Sequence, residues 1–103
     1  MRYVAILSAG RAWVEGKSVH EQDRAVMVDH LHAMRQRFDE GSVLFGGPFR
    51  SSDGGIVLIE APCRTDARQI IESDPAVSAG ILDYSLHDIR PYFDAISGDA
   101  WHP

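Results

Sequence analysis

Two histidines stand two residues apart in "DHLHAMRQRFDEG", Asp29 to Gly41, and a single aspartate opens "DPAVSAG" at Asp74. An imidazole changes charge near neutral pH, so it can serve as a general acid or base. A carboxylate beside it can fix which ring nitrogen carries the proton. Two histidines on one helix face could instead share a metal ion, so their directions decide what chemistry is open to them. The apolar residues Met27, Leu31, Met34 and Phe38 recur at steps of four, three and four, which predicts a helix over about Asp23–Glu40, stopped by Gly41. At about 100° per residue, His30 and His32 point roughly 160° apart and cannot hold one ion or one substrate together. From the centre of the apolar stripe, His30 falls roughly 70° to one side and His32 roughly 130° to the other. His32 therefore faces solvent with Asp29, and His30 occupies the shoulder of the buried face near Val26 and Met34. Such a shoulder suits either a titratable group shared between core and cleft or a boundary histidine bonded to a backbone carbonyl.

Asp74 also admits two readings. Asp followed by Pro is a good N-cap and first residue for a short helix. Asp74 lies, however, just past the C-terminal end of a preceding helix, where the macrodipole disfavours a bare carboxylate and a nearby imidazolium would relieve the cost.

The elements around these residues follow from local pattern. "YVAIL" (Tyr3 to Leu7) is a strand, followed by a long polar connection that carries Trp13. After the helix, "VLF" (Val43 to Phe45) is a second strand closed by Gly46-Gly47-Pro48, "SSDGG" a turn and "IVLIEA" (Ile56 to Ala61) a third strand. Thr65 caps a second helix, "DARQIIES", with Ala67, Ile70 and Ile71 on one side; "DPAVSAG" forms a single short helical turn. "YSLHDIRPY" is the last strand, on which His87 reads as structural or interfacial, and a tail starts at about residue 93. The order β-α-β-β-α-β predicts an α+β, ferredoxin-like domain spanning 1–103, with two helices on one face of an antiparallel sheet. "YVAIL" and "IVLI" are apolar at consecutive positions, so both sheet faces read as dry and a second copy of the sheet is expected to cover the outer one.

Composition narrows the function classes. The chain has 103 residues, 45% apolar and 24% charged, which fits one folded domain. Its formal charge is −5 and no basic stripe is present, so nucleic acid is not an expected partner. Cys63 is the only cysteine, so neither an internal disulfide nor a cysteine-based zinc site can form. The apolar run at the N-terminus is too short for a signal or membrane segment, which makes a cytoplasmic setting the expectation. No serine-glycine elbow, P-loop, dinucleotide fingerprint or zinc-binding histidine pair occurs. What is left is chemistry that needs only proton transfer, with no cofactor and no metal.

"HL" at His30-Leu31, Gly41 eleven positions later, "GGP" at Gly46 to Pro48, "EA" at Glu60-Ala61 and "DPAVSAG" from Asp74 together resemble the YciI-like (YCII-related) family of the dimeric α+β-barrel group. The resemblance runs from Tyr3 to about Tyr92. It implies a ferredoxin-like fold that dimerises through its sheets and a catalytic His-Asp pair in a cleft, which falls here on His30 and Asp74. Many relatives carry an Asp near the end of the first strand, where this chain has "LSAG", with Ser8 or Ala9 in its place. Some relatives resemble dehydrochlorinases of chlorinated hydroxyquinols, and others in the wider group resemble muconolactone isomerases. The resemblance therefore implies a homodimeric small-molecule enzyme performing elimination or isomerisation on an aromatic-degradation intermediate. Ser8, Trp13 and Phe49 are the candidate substrate contacts; Trp13 is placed either to lid a flat ligand or to anchor its own loop. The rival reading is a non-catalytic ligand-binding or regulatory protein of the same fold, favoured by the missing first-strand aspartate.

Overall fold

Tyr3, Ala5 and Leu7 are buried on one side of β1 (Arg2–Ala9), while Val4 and Ile6 on the other side keep partial access to solvent. β3 (Gly55–Glu60) alternates in the same way, with Val57 and Ile59 buried and Ile56 and Leu58 half-buried. Period-two alternation on two neighbouring strands defines a sheet with one core face. In the computed structural model, which describes residues 1–103, β1 lies between β3 and β4 (Leu82–Ile89), and β2 (Val43–Pro48) pairs with the far side of β3. The order is β2-β3-β1-β4, and every pairing is antiparallel. This is the α+β, ferredoxin-like arrangement expected from the element order.

Three helices lie on the core face. α2 (Arg64–Glu72) buries Ala67, Ile70 and Ile71, the three residues its periodicity placed on one side. Each isoleucine removed from water contributes roughly 1.5–3 kcal/mol. α3 (Pro75–Ser78) is the short turn expected after Asp74, and Ala76 is fully buried beneath it. α1 (Arg24–Asp39) begins at the Asp23 cap, whose side chain accepts the Val26 amide. It ends where Gly41, at φ +87°, donates to Phe38 O and Ser42 donates to Arg37 O. That pair of bonds needs a left-handed residue after the helix, which is why a glycine stops it there.

Several boundaries differ from the sequence reading. β2 does not close at Gly46-Gly47-Pro48 but runs through it, with Gly46, Gly47 and Pro48 opposite Val57, Ile56 and Gly55. Proline lacks an N–H and is tolerated here because β2 is an edge strand. Thr65 does not cap α2, because Cys63 takes the cap position and Thr65 falls in the first turn. The last strand starts two residues earlier than expected, at Leu82, and stops at Ile89. The long connection contains a turn of 3-10 helix at Val19–Glu21. The tail forms a small hairpin, β5 (Phe93–Asp94) with β6 (Asp99–Ala100).

The largest departure concerns α1. Its stripe was expected to pack into the core, yet no residue of α1 is buried, and Leu31 and Phe38 are 63% and 55% exposed. α1 rests on α3 and along β2 instead of lying flat on the sheet. Met27 and Met34 alone of the stripe pack against the core cluster. The space this leaves under α1 is the feature on which the candidate site is built.

Candidate active site

An open cavity of about 690 Å³ lies between α1, the core face of the sheet and the edge strand β2, where it also reaches Phe45 and Ile56. Its apolar wall includes Met27, Leu31, Met34 and Phe38 from α1, with Leu7 and Val57 opposite them on β1 and β3. The helical stripe therefore faces a cavity rather than a packed core. Gly54 and Gly55 form part of the rim near the start of β3. A Cβ on Gly54 would lie 2.2 Å from the Leu7 carbonyl oxygen, so only glycine lets the two chains meet there.

His30 stands in the wall of this cavity, where α1 crosses the N-terminus of α3. Its Nδ1 is 2.8 Å from both carboxylate oxygens of Asp74. Asp74 is 1% exposed and His30 13%, so the carboxylate is wholly withdrawn from water and the ring keeps only a narrow opening. A charge buried this deeply requires partners on every side. Asp74 Oδ2 also accepts the Ala76 and Val77 amides, which makes the residue the cap of α3 as well as the partner of His30. The two readings of Asp74 are thus both satisfied by one side chain. A carboxylate that already accepts two amides accepts again from the ring, so the Nδ1 proton points to Asp74, and in the neutral ring Nε2 holds the lone pair. Nε2 has no protein partner.

His32 is exposed on the other side of α1, as its angle required. Ser8, Trp13 and Phe49 do not line this cavity. Ser8 is exposed near the end of β1 opposite Asp83. Trp13 packs against the core cluster from the long connection, and Phe49 is partly exposed beyond the end of β2. His87 is exposed on β4 and its Nε2 is 3.0 Å from Ser85 Oγ.

Three residues of the site were not singled out from the sequence. Gln22 is buried: its Oε1 accepts the Val14 amide at 2.8 Å, and the two N–H groups of its Nε2 are shared among the carbonyls of Val14, Lys17 and Ser18 at 3.2–3.3 Å. One amide thereby folds the long connection into the segment that brings Val19 and His20 to the cavity. His20 and Arg24 both reach the cavity wall from exposed positions, and nothing in their local pattern marks them.

A small α+β domain with an apolar cavity under its first helix and a carboxylate-fixed histidine in the cavity wall is the class these features define. The YCII-related domain model matches residues 1–90, and the chain belongs to that family. Among solved structures, the chain is similar to the 5-chloro-2-hydroxyhydroquinone dehydrochlorinase of Burkholderia phenoliruptrix, determined in complex with 2,5-dihydroxybenzoquinone. The TM-score is 0.66 at 16% identity, over 87% of this chain and 94% of that one. At that identity the likeness establishes the fold. No curated protein matches the chain. No helix is long and apolar enough to cross a membrane.

Proposed function

We propose that this chain is a small-molecule enzyme in which His30 Nε2 moves a proton and Asp74 holds the ring for it. The observation that carries the reading is the contact of Asp74 with Nδ1 at 2.8 Å, which leaves Nε2 as the basic nitrogen of a ring set in a cavity wall. The base takes a proton from a C–H or O–H made acidic by a neighbouring carbonyl. The electron pair left behind either expels a leaving group on the adjacent carbon or shifts a double bond. The imidazolium formed faces the buried carboxylate and then returns its proton to product or water. Such a step uses no cofactor. A positioned acid–base group contributes about 10²–10⁴-fold, so the substrate must already be activated. Elimination from, or isomerisation of, a ring-derived intermediate of aromatic degradation meets that condition, and the dehydrochlorinase of the same fold supports it. The working unit in this reading is a homodimer joined through the outer sheet faces.

One observation favours a second reading, that of a ligand-binding protein without turnover. Ser8 stands near the end of β1, where the family resemblance implies an aspartate, so one acidic group expected of an active relative is missing from this chain. A panel of chlorinated hydroxyquinols and muconolactones, assayed after dialysis against chelator and without added cofactor, separates the two. Turnover of at least one compound is expected, falling about 10²–10⁴-fold in His30→Ala and unchanged in His32→Ala. Binding without turnover across the panel would favour the second reading, and equal loss in both histidine variants would remove His30 from its role.

A further inference from the structure

The protein is acidic, with 15 aspartates and glutamates against 10 lysines and arginines, but its cavity is not. No aspartate or glutamate lines it, and its ionisable side chains are His20, Arg24, His30 and Arg35. Arg35 is engaged by Asp39, whose Oδ1 accepts from Arg35 Nε at 3.0 Å. His30 is engaged by Asp74. Arg24 has neither an ion pair nor a hydrogen bond to any side chain, and it stands one turn before Met27 and Val28 on the wall. An unpaired guanidinium beside an apolar surface, in a cavity stripped of carboxylates, attracts one kind of guest. Low-dielectric walls focus its field, and the five donors of the guanidinium match an anionic oxygen.

We infer that the cavity binds a predominantly apolar molecule carrying one anionic oxygen group, a carboxylate or an ionised enol, and that Arg24 is the residue that receives it. Met27, Leu31 and Met34 contact the body of the molecule, the two methionines adapting to its outline. Anchoring at Arg24 sets the opposite part of the guest against the α1 wall that carries His30. This deepens the reading of the cavity as a substrate site and names a specificity residue for it.

The test is binding, which is independent of turnover. 2-Naphthoate and its neutral isostere 2-naphthamide are titrated into the full-length protein, followed by the methyl resonances of Met27 and Met34. Naphthoate is expected to bind at least about tenfold more tightly than naphthamide, the scale of one charged hydrogen-bonding contact. Arg24→Gln should remove that preference without changing naphthamide affinity. Arg37→Gln, which lowers the charge of α1 by the same amount away from the cavity wall, should preserve it. The preference should also weaken as salt is raised, because Arg24 is exposed. Equal affinity of the two probes, no binding of either, or the same loss in both arginine variants would overturn the inference. Turnover in the hydroxyquinol panel with charge-independent binding would leave the proton-transfer reading standing and this one refuted. Charge-selective binding with no turnover would do the reverse.

Discussion

Asp74 Oδ2 already accepts two backbone amides, so an asparagine at this position has one favourable orientation. Its carbonyl oxygen must take the place of Oδ2, which turns the amide NH2 toward His30 Nδ1. The ring must then accept at Nδ1 and carry its proton on Nε2, which disables it as a base. Asp74→Asn is therefore expected to keep the α3 cap and the fold while turnover of a responsive substrate falls about 10²–10⁴-fold. Asp74→Ala should lose turnover and, in addition, about 0.5–2 kcal/mol of stability from the missing cap. Denaturant unfolding of both variants beside their activity checks this. An asparagine variant with full turnover would reduce Asp74 to a helix cap.

At the scale of elements, two segments are held by single polar side chains. Gln22 gathers the long connection through one Val14 amide and three carbonyls, and so sets where His20 meets the cavity. The tail hairpin is held by Arg2, whose Nε donates to Asp94 Oδ2 at 2.8 Å while its guanidinium also pairs with Glu60. Asp94 in turn accepts the Ile96 and Ser97 amides. The Arg2 bond, reinforced by those amides, holds the Asp94 carboxyl below its ordinary value of 3.8. A depressed carboxylate contributes its stabilisation above the unfolded-state value and loses it as pH falls through the folded-state value. The hairpin should therefore stay docked at neutral pH and down through about pH 4, then detach below the ordinary aspartate range before the sheet unfolds. Amide resonances of Phe93 to Ala100, followed during acidification, would report it. Asp94→Asn should free the hairpin already at neutral pH, and an unchanged hairpin in that variant would show that Arg2 does not hold it.

For the whole molecule, the open question is what meets the outer face of the sheet. Val4, Ile6, Ile56 and Leu58 lie there on the two central strands, and Phe45, opposite Leu58, extends the apolar surface onto β2. Along the β4 edge the same face turns polar, with Asp83, Ser85 and His87 opposite Ser8, Ile6 and Val4. A dry centre bounded by a polar margin is the usual make-up of an interface. Light scattering behind a sizing column should give about twice the 11.4 kDa chain mass at micromolar concentration. Leu58→Lys places an unpaired ammonium in that centre, where it should halve the mass while the circular dichroism of the fold persists. A wild-type protein that runs as a monomer, or a Leu58→Lys protein that stays dimeric, would rule out this face as the interface.

The elements of this protein were legible in its sequence because each is encoded by short-range periodicity. The short runs of β-formers "YVAIL" and "IVLIE", the four-three-four spacing on α1, the stop at Gly41 and the Asp-Pro start of α3 all act within a few residues. The position of His30 at the shoulder of α1 followed from the same geometry. Where α1 would rest did not. The stripe through Leu31 and Phe38 has the pattern of a core face, and only the seating of α1 on α3 and β2 turns that stripe toward a cavity. Residue pattern reports which side of a helix is apolar and is silent on whether protein or empty space lies opposite. The contact between His30 and Asp74 spans 44 residues, and it exists because α1 crosses the start of α3. His20 and Arg24 belong to the same wall for the same reason: a cavity is assembled by packing between distant segments, and no local spacing in the chain records it.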